Sequence, residues 1–294
     1  MSVLRDRRLL IGAGIVAFFI LLAVIGPLFA GSASAFGRAE WQGPSGAHWL
    51  GTTQLGQDVL AQLVDGARAT LEIGAGAGLL ATVISIVIGI GGGYAGGLVD
   101  ETLSLLSNVV LVIPALPLII IIASFVHASG VWPTLLVIAF VSWAASARVL
   151  RAQTLSVRNR EYVLAAKAGG ERAWRIVGVE ILPNELPIIV SQFIFSMIFA
   201  ILTQAGLAFL GLASPNSLTW GTMLYYAQND GAMSSGAWWW FVPPGLAIAL
   251  LGMGLALVNF SLDELLNPRL RVYKPRKNRH NSQSSSAERP VVIV

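Results

Sequence analysis

Cysteine is absent from the chain, which excludes disulfides, thiolate metal sites and a cysteine nucleophile. Charge is scarce as well. Asp, Glu, Lys and Arg make up 12% of 294 residues, about half the share usual in soluble domains. Hydrophobic residues reach 55% and the mean hydropathy is +0.72, so the composition is that of an integral membrane protein. The three histidines, His48, His127 and His280, lie far apart and form no H-E-x-x-H pair. They read as loop or interface residues rather than metal ligands. No Gly-Lys-Ser/Thr follows the glycine-rich run at residues 89–93, and that run sits in an apolar span, so it is not a phosphate-binding loop.

A formal charge of +4 and a pI near 9.8 raise the question of nucleic acid. The basic residues, however, flank apolar spans or fall in the C-terminal tail, without the interleaved aromatic platform of a single-strand binder. No nucleic-acid partner is expected.

The apolar runs predict an all-α protein of six transmembrane helices, over residues 9–30, 71–97, 102–126, 131–147, 186–210 and 241–260. The first could be a signal peptide, since residues 31–35 are small enough for cleavage. Its length, and the orientation it allows, favour an uncleaved span. Together with the extracytoplasmic segment that follows, it makes residues 1–70 an N-terminal region. Within that segment Asp58 is placed to cap the next helix, and residues 48–60 read as a hairpin at the bilayer surface. Gly74, Gly76, Gly78 and Gly89 to Gly93 allow close helix crossing, and the latter group is expected to loosen the helix end. Asp100 and Glu101 are assigned to a very short turn. Pro114 and Pro117 are expected to kink the third span, either as part of a pathway lining or as a purely structural feature. Residues 211–240 read as a loop, with Trp220 and Trp238 to Trp240 in an interfacial belt. The core domain covers residues 71–270, and residues 271–294 read as a disordered tail.

Orientation follows from charge. With the N-terminus inside, 17 of the 19 Lys and Arg residues fall on the cytoplasmic side, leaving Arg38 and Arg68 outside. Both termini and the loop at residues 148–185 are therefore expected in the cytoplasm.

Residues 161–184 form the one long run between spans that is helix-prone and strongly mixed in charge. Ala165, Ala166, Ala168, Gly169 and Gly170 are small enough for another backbone to approach closely. Trp174, Ile176, Val177, Ile181 and Leu182 recur at near-helical spacing. The expectation is helix, glycine turn and second short helix, the latter closed by Pro183. From these residues alone, a solvated helical hairpin and a docking surface are both open.

The run E-Y-V-x-A-A-x-A-x-G, with I-L-P beginning eleven residues after its last glycine, resembles the EAA loop of ATP-binding-cassette (ABC) importer permeases. The positions that match are Glu161, Ala165, Ala166, Gly170, Ile181, Leu182 and Pro183. Val179 and Glu180 stand where that branch often carries a basic pair. Two further stretches are similar to the dipeptide, oligopeptide and nickel branch. L-G-T-T-Q-L-G-Q-D-V resembles its L-G-T-D-x-x-G-R-D-V segment, with Thr53 and Gln57 in place of the acid and the arginine. Ser214-Pro215 followed by Trp220-Gly221-Thr222-Met223 resembles its outer loop.

This resemblance, to the C-type subunit of that branch, implies a type I importer-like fold with a cytoplasmic coupling helix. It also implies a second homologous permease in a heterodimer, two ABC ATPase subunits and an extracytoplasmic substrate-binding protein, all at a bacterial inner membrane among lipid. In that arrangement Ala165, Ala166 and Gly170 serve close docking and Glu161 makes a polar contact. No cofactor is expected on this chain; ATP and Mg belong to the partner ATPases. The span centres contain no Asp, Glu, Lys, Arg or His, so nothing obvious senses an ion gradient. The chain has no Walker A sequence either, so the ATPase must be separate. An enzyme is not expected, because no nucleophile–base or carboxylate pair is evident at depth; a membrane-embedded enzyme or a channel is the alternative of a different class. Asn108, Gln192, Ser196 and Gln204 are the candidates for lining the pathway. Short peptides are the favoured solute, with nickel or another small solute as the alternative on the same scaffold.

Overall fold

The structure is a computed structural model, and it describes residues 7–37, 39–125, 130–213 and 217–266. Nine helices occur among these residues. They are α1 (Arg7–Ile25), α2 (Val59–Ala95), α3 (Gly97–Val112), α4 (Ala115–Phe125), α5 (Val131–Val157), α6 (Glu161–Ala168), α7 (Ala173–Phe209), α8 (Trp220–Asn229) and α9 (Trp238–Leu266). Helices α1, α2, α5, α7 and α9 are each long and apolar enough to cross a membrane. The pair α3 and α4 makes a sixth span when its halves are taken together.

Helix α2 is the post around which the others pack. Asp58 caps it as expected, its carboxylate accepting from the Ala61 N–H at 2.9 Å. The helix therefore begins a dozen residues before the predicted span. Its glycines set the spacing to α7: a Cβ on Gly78 would lie 3.0 Å from the Met197 nitrogen, and one on Gly74 would lie 2.5 Å from Ile201 Cγ1. Such closeness is the main attraction between helices in lipid, where apolar burial gives little drive. The Ser85 hydroxyl lies 2.8 Å from the Trp143 carbonyl and links α2 to α5. Loosening near Gly89 takes the form of a π-helical turn, Ile86–Ile90, inside a helix that continues to Ala95. Between α1 and α9 the same device recurs: a Cβ on Gly12 would lie 2.8 Å from the Gly254 carbonyl oxygen.

Several expectations are corrected. Asp100 and Glu101 are not in a turn: the reversal is made by Gly96 (φ +69°) and Gly97 (φ +56°), and Asp100 lies in the first turn of α3. The third span is not merely kinked at its prolines but broken, with α3 and α4 meeting at 88°. Ile113, the residue before Pro114, adopts extended backbone, as sterics at a pre-proline position favour. Helix α5 runs ten residues past the predicted end, to Val157. Pro183 does not close a separate helix. It sits in the first turn after a π-helical stretch, Ile176–Ile181, where wider i→i+5 bonding leaves its missing N–H unneeded, and α7 continues to Phe209. Residues 211–240 contain a helix, α8. Trp220 and Trp240 are core residues, 0% and 2% exposed, not members of a belt.

Candidate coupling site

The end of α5 leads into the loop by way of three arginines that bond to neighbouring helices. Arg151 forms a two-pronged ion pair with Asp100 on α3 (Nη2–Oδ2 2.9 Å). Arg148 Nη2 donates to Asn108 Oδ1 at 2.7 Å, also on α3. Arg158 Nη1 donates to the Gly93 carbonyl at 2.8 Å, where a cation suits the exposed carbonyls at the end of α2. The loop is thus tied to both α2 and α3.

Helix α6 follows. Glu161 stands in its first turn and Lys167 in its last, both favourable to the helix dipole. Lys167 Nζ also lies 4.8 Å from the centre of the Tyr94 ring on α2, within cation–π range. The helix ends in a Schellman motif: the Glu171 N–H donates to the Ala166 carbonyl and the Gly170 N–H to that of Lys167, both at 3.1 Å. Gly170 takes φ +76°, left-handed backbone that explains a glycine at this position. Val163 alone is buried in α6. It joins Ile90, Leu150, Ile176, Ile181 and Ile189 in a small core beneath the loop.

The residues matched to the EAA loop therefore divide. Glu161, Ala165 and Gly170 are exposed, Ala166 is half-buried, Ile181 is buried, Leu182 is half-buried and Pro183 is exposed. Trp174, grouped by spacing with the buried face, is instead 71% exposed. Leu164, on α6 itself, is a second exposed apolar side chain of the loop. Nothing in its spacing distinguished it, because the π-helical stretch that follows shifts the register.

One residue escaped the sequence reasoning. Glu185, in the turn of α7 that follows the π-helical stretch, is fully buried, with Thr154 Oγ1 at 2.9 Å from its Oε1. The only available signal was a lone acid between I-L-P and an apolar run.

The four pathway candidates do not converge. Asn108 is exposed and holds Arg148, and Gln192 is half-buried on α7. Ser196 is buried, 3.3 Å from Ser146 on α5. Gln204 is 1% exposed and donates to Thr219 Oγ1 at 2.8 Å. The last two join helices inside this chain.

At the opposite end of α2, about 55 Å of helix away by its rise per residue, residues 48–58 fold back on themselves. Thr53 Oγ1 accepts from the Leu55 and Gln57 N–H groups at 3.2 and 3.1 Å, and His48 Nδ1 lies 2.8 Å from Asp58 Oδ2. Local hydroxyl bonding thus engages Thr53, which stands where the branch segment has an acid. Helix α8 lies across this end, opened by a reciprocal capping box between Thr219 and Thr222. Of its outer-loop motif, Ser214 and Pro215 lie outside the described residues.

Residues 81–272 match the family described as binding-protein-dependent transport system inner membrane component. The chain is 31% identical over 272 residues to the dipeptide transport system permease protein DppC of Bacillus subtilis, covering 91% of this chain and 83% of that protein. It is 32% identical over 274 residues to the oligopeptide transport system permease protein OppC of the same organism, covering 91% and 88%. Among solved structures, a chain of the MetNI methionine ABC transporter in inward-facing conformation aligns with TM-score 0.56 and 19% identity, over 70% of this chain and 94% of that one. That likeness concerns the fold, which is type I importer-like.

Proposed function

Because the chain belongs to the family of inner membrane components of binding-protein-dependent transport systems, a family of multi-pass transport subunits and not of enzymes, we propose that it forms half of the pathway of an ATP-driven importer of short peptides. Its curated relatives named for dipeptide and oligopeptide transport support that solute. The observation that carries the coupling role is the exposure of α6: an eight-residue helix with a single buried side chain, Val163. Its small outer residues leave room for a protein groove.

In this reading Glu161, Ala165, Ala166 and Gly170 meet a cassette ATPase, and a second, similar permease completes a heterodimer with two ATPases. ATP and Mg stay on those ATPases, and an extracytoplasmic binding protein delivers the solute. Both termini and α6 face the cytoplasm, on the charge asymmetry of the sequence. ATP-driven closure of the ATPases would draw the coupling helices together. Arg158 and Lys167, held against Gly93 and Tyr94 of α2, would pass that displacement into the bundle, and hydrolysis would reset it. Asn108 and Gln192 are the pathway candidates that retain exposure.

Purification of the tagged chain in mild detergent, with mass spectrometry of what accompanies it, tests the reading. A second permease and cassette ATPases are expected. Recovery of the chain alone as a defined oligomer would refute it.

A further inference from the structure

The apolar core beneath α6 contains a polar pair. Thr154 falls between Leu150 and Val157 on α5, and Glu185 falls between Ile181 and Ile189 on α7; those four apolar residues all belong to the core on which Val163 rests. Spacings of three and four residues place each polar side chain on the same face as its apolar neighbours. Both Thr154 and Glu185 are 0% exposed. Helix α2 closes in on the pair as well. A Cβ on Gly93 would lie 3.1 Å from Thr154 Cβ, and Arg158, one turn past Thr154, donates to the carbonyl of that glycine.

The contacts of the hydroxyl identify the form of the acid. Thr154 Oγ1 lies 2.9 Å from the Leu150 carbonyl oxygen, 2.9 Å from Glu185 Oε1 and 3.1 Å from Oε2. A threonine hydroxyl has one proton and cannot donate to both residues. An ionised Glu185 would be buried with that one donor at most. Among the described residues no Lys, Arg or His comes within 4.0 Å of it. Arg151 is committed to Asp100, Arg158 to Gly93 and Lys167 to the Tyr94 ring. A buried carboxylate so poorly matched is costly. A protonated Glu185 uses both protons: its O–H donates to Thr154, whose own O–H donates to the Leu150 carbonyl.

We propose that Glu185 is a positioning residue for coupling, a protonated acid whose bond to Thr154 holds α7 in register on α5 beneath α6. Apolar side chains alone allow neighbouring helices several registers, whereas a buried directional bond favours one. A displacement of α6 would then carry the ends of α5 and α7 together instead of slipping between them. The coupling role rests on the importer reading above; the protonated pair does not.

Infrared spectra of the purified full chain in lipid nanodiscs at neutral pH read the proton. A carboxylic-acid C=O band is expected in the wild type and should be missing from Glu185→Gln; identical spectra would overturn the protonated pair. Coupling is read as trialanine uptake per ATP hydrolysed, in proteoliposomes of the co-purified transporter with its binding protein. Glu185→Gln should stay within about twofold of wild type, since its amide N–H replaces the donor to Thr154. Glu185→Leu should lose about tenfold or more with ATPase recovery and melting temperature unchanged, because leucine suits an apolar core but makes no bond. A leucine variant coupled like wild type, or a glutamine variant as deficient as leucine, would overturn the positioning role. If Glu185→Leu does not reach the membrane, Thr154→Val takes its place with the same expectation. Loss of both from the membrane would overturn positioning and leave a purely structural pair. Absence of cassette ATPases from the wild-type preparation refutes the importer reading and the coupling role with it, while the infrared band still decides the protonated pair.

Discussion

Helices α6 and α8 are both short, both lie outside the long spans and both carry a motif, yet their burial is opposite. In α8, Trp220, Gly221, Thr222, Met223 and Ala227 are buried. In α6 only Val163 is. Trp220 shows what full incorporation means: its Nε1 donates to the Leu63 carbonyl at 2.8 Å, and its ring meets Phe19 of α1 edge-on at 5.2 Å. Helix α8 thus locks α1, α2 and α7 together, while α6 is fixed at its base and open on its outer face. A motif residue in α8 is explained by the chain's own packing, whereas one in α6 is not. Exposure of small and apolar residues on a firmly held helix is what a docking surface requires.

That contrast can be broken most directly at its tryptophans. Trp220→Ala should cost about 3–5 kcal/mol, enough to deplete the folded protein from the membrane. Trp174→Ala should change stability by less than about 0.5 kcal/mol while reducing ATPase recovery. Thermal unfolding and quantitative co-purification read the two effects. A stable Trp220→Ala protein would mean that α8 is no keystone.

The next effect is on transport rather than folding. Gly170→Asp should lower peptide uptake at least tenfold with the protein still in the membrane. The left-handed backbone at Gly170 makes any side chain cost about 1 kcal/mol, so Gly170→Asn serves as the uncharged control. Normal uptake by the Asp variant would remove α6 from the coupling path.

A third comparison uses alanine. A Cβ on Gly221 would lie 2.8 Å from Ala205 Cα, whereas one on Gly178 meets nothing within 4 Å. Gly221→Ala should destabilise by about 1–3 kcal/mol. Gly178→Ala should be neutral or slightly stabilising, as alanine suits helical backbone better. Equal melting temperatures for the two would contradict the stated packing.

The smallest effect concerns Asp230. Its carboxyl is raised by burial, so the folded state holds the proton more tightly than the unfolded state. The resulting destabilisation is absent at pH below the unfolded value, grows as pH rises through it, and is complete above the folded value. Asp230→Asn should therefore melt slightly higher at neutral pH, with the gain shrinking as pH falls towards the ordinary carboxylate range. A lower melting temperature at neutral pH would show that the charge is stabilising.

Some of this was legible from local chemistry. The Asp58 cap needs only a short acid before a helical run, and the turn at Gly169 and Gly170 needs only the absence of a Cβ. The pairing of α2 with α7 was foreshadowed by glycines at Gly74 and Gly78, though not its partner. Continuity through Pro183 was hidden, because it depends on a π-helical stretch whose bonds no residue type announces. The burial of Trp220 was hidden for a related reason. A tryptophan between spans suits an interface equally well, and only the carbonyl of Leu63 and the ring of Phe19, distant in sequence, decide otherwise.

Hydropathy, charge asymmetry and the three motif stretches by themselves determined an all-helical membrane protein, its expected sidedness and its family resemblance, since each depends on residue type and near neighbours alone. The tertiary structure decided which motif residues the chain consumes in its own packing and which it leaves exposed. It also brought Asp65, Asp230 and Trp240 into the lining of one cavity. Those outcomes depend on distances between residues far apart in sequence, which become defined only when α2 brings the other helices around it.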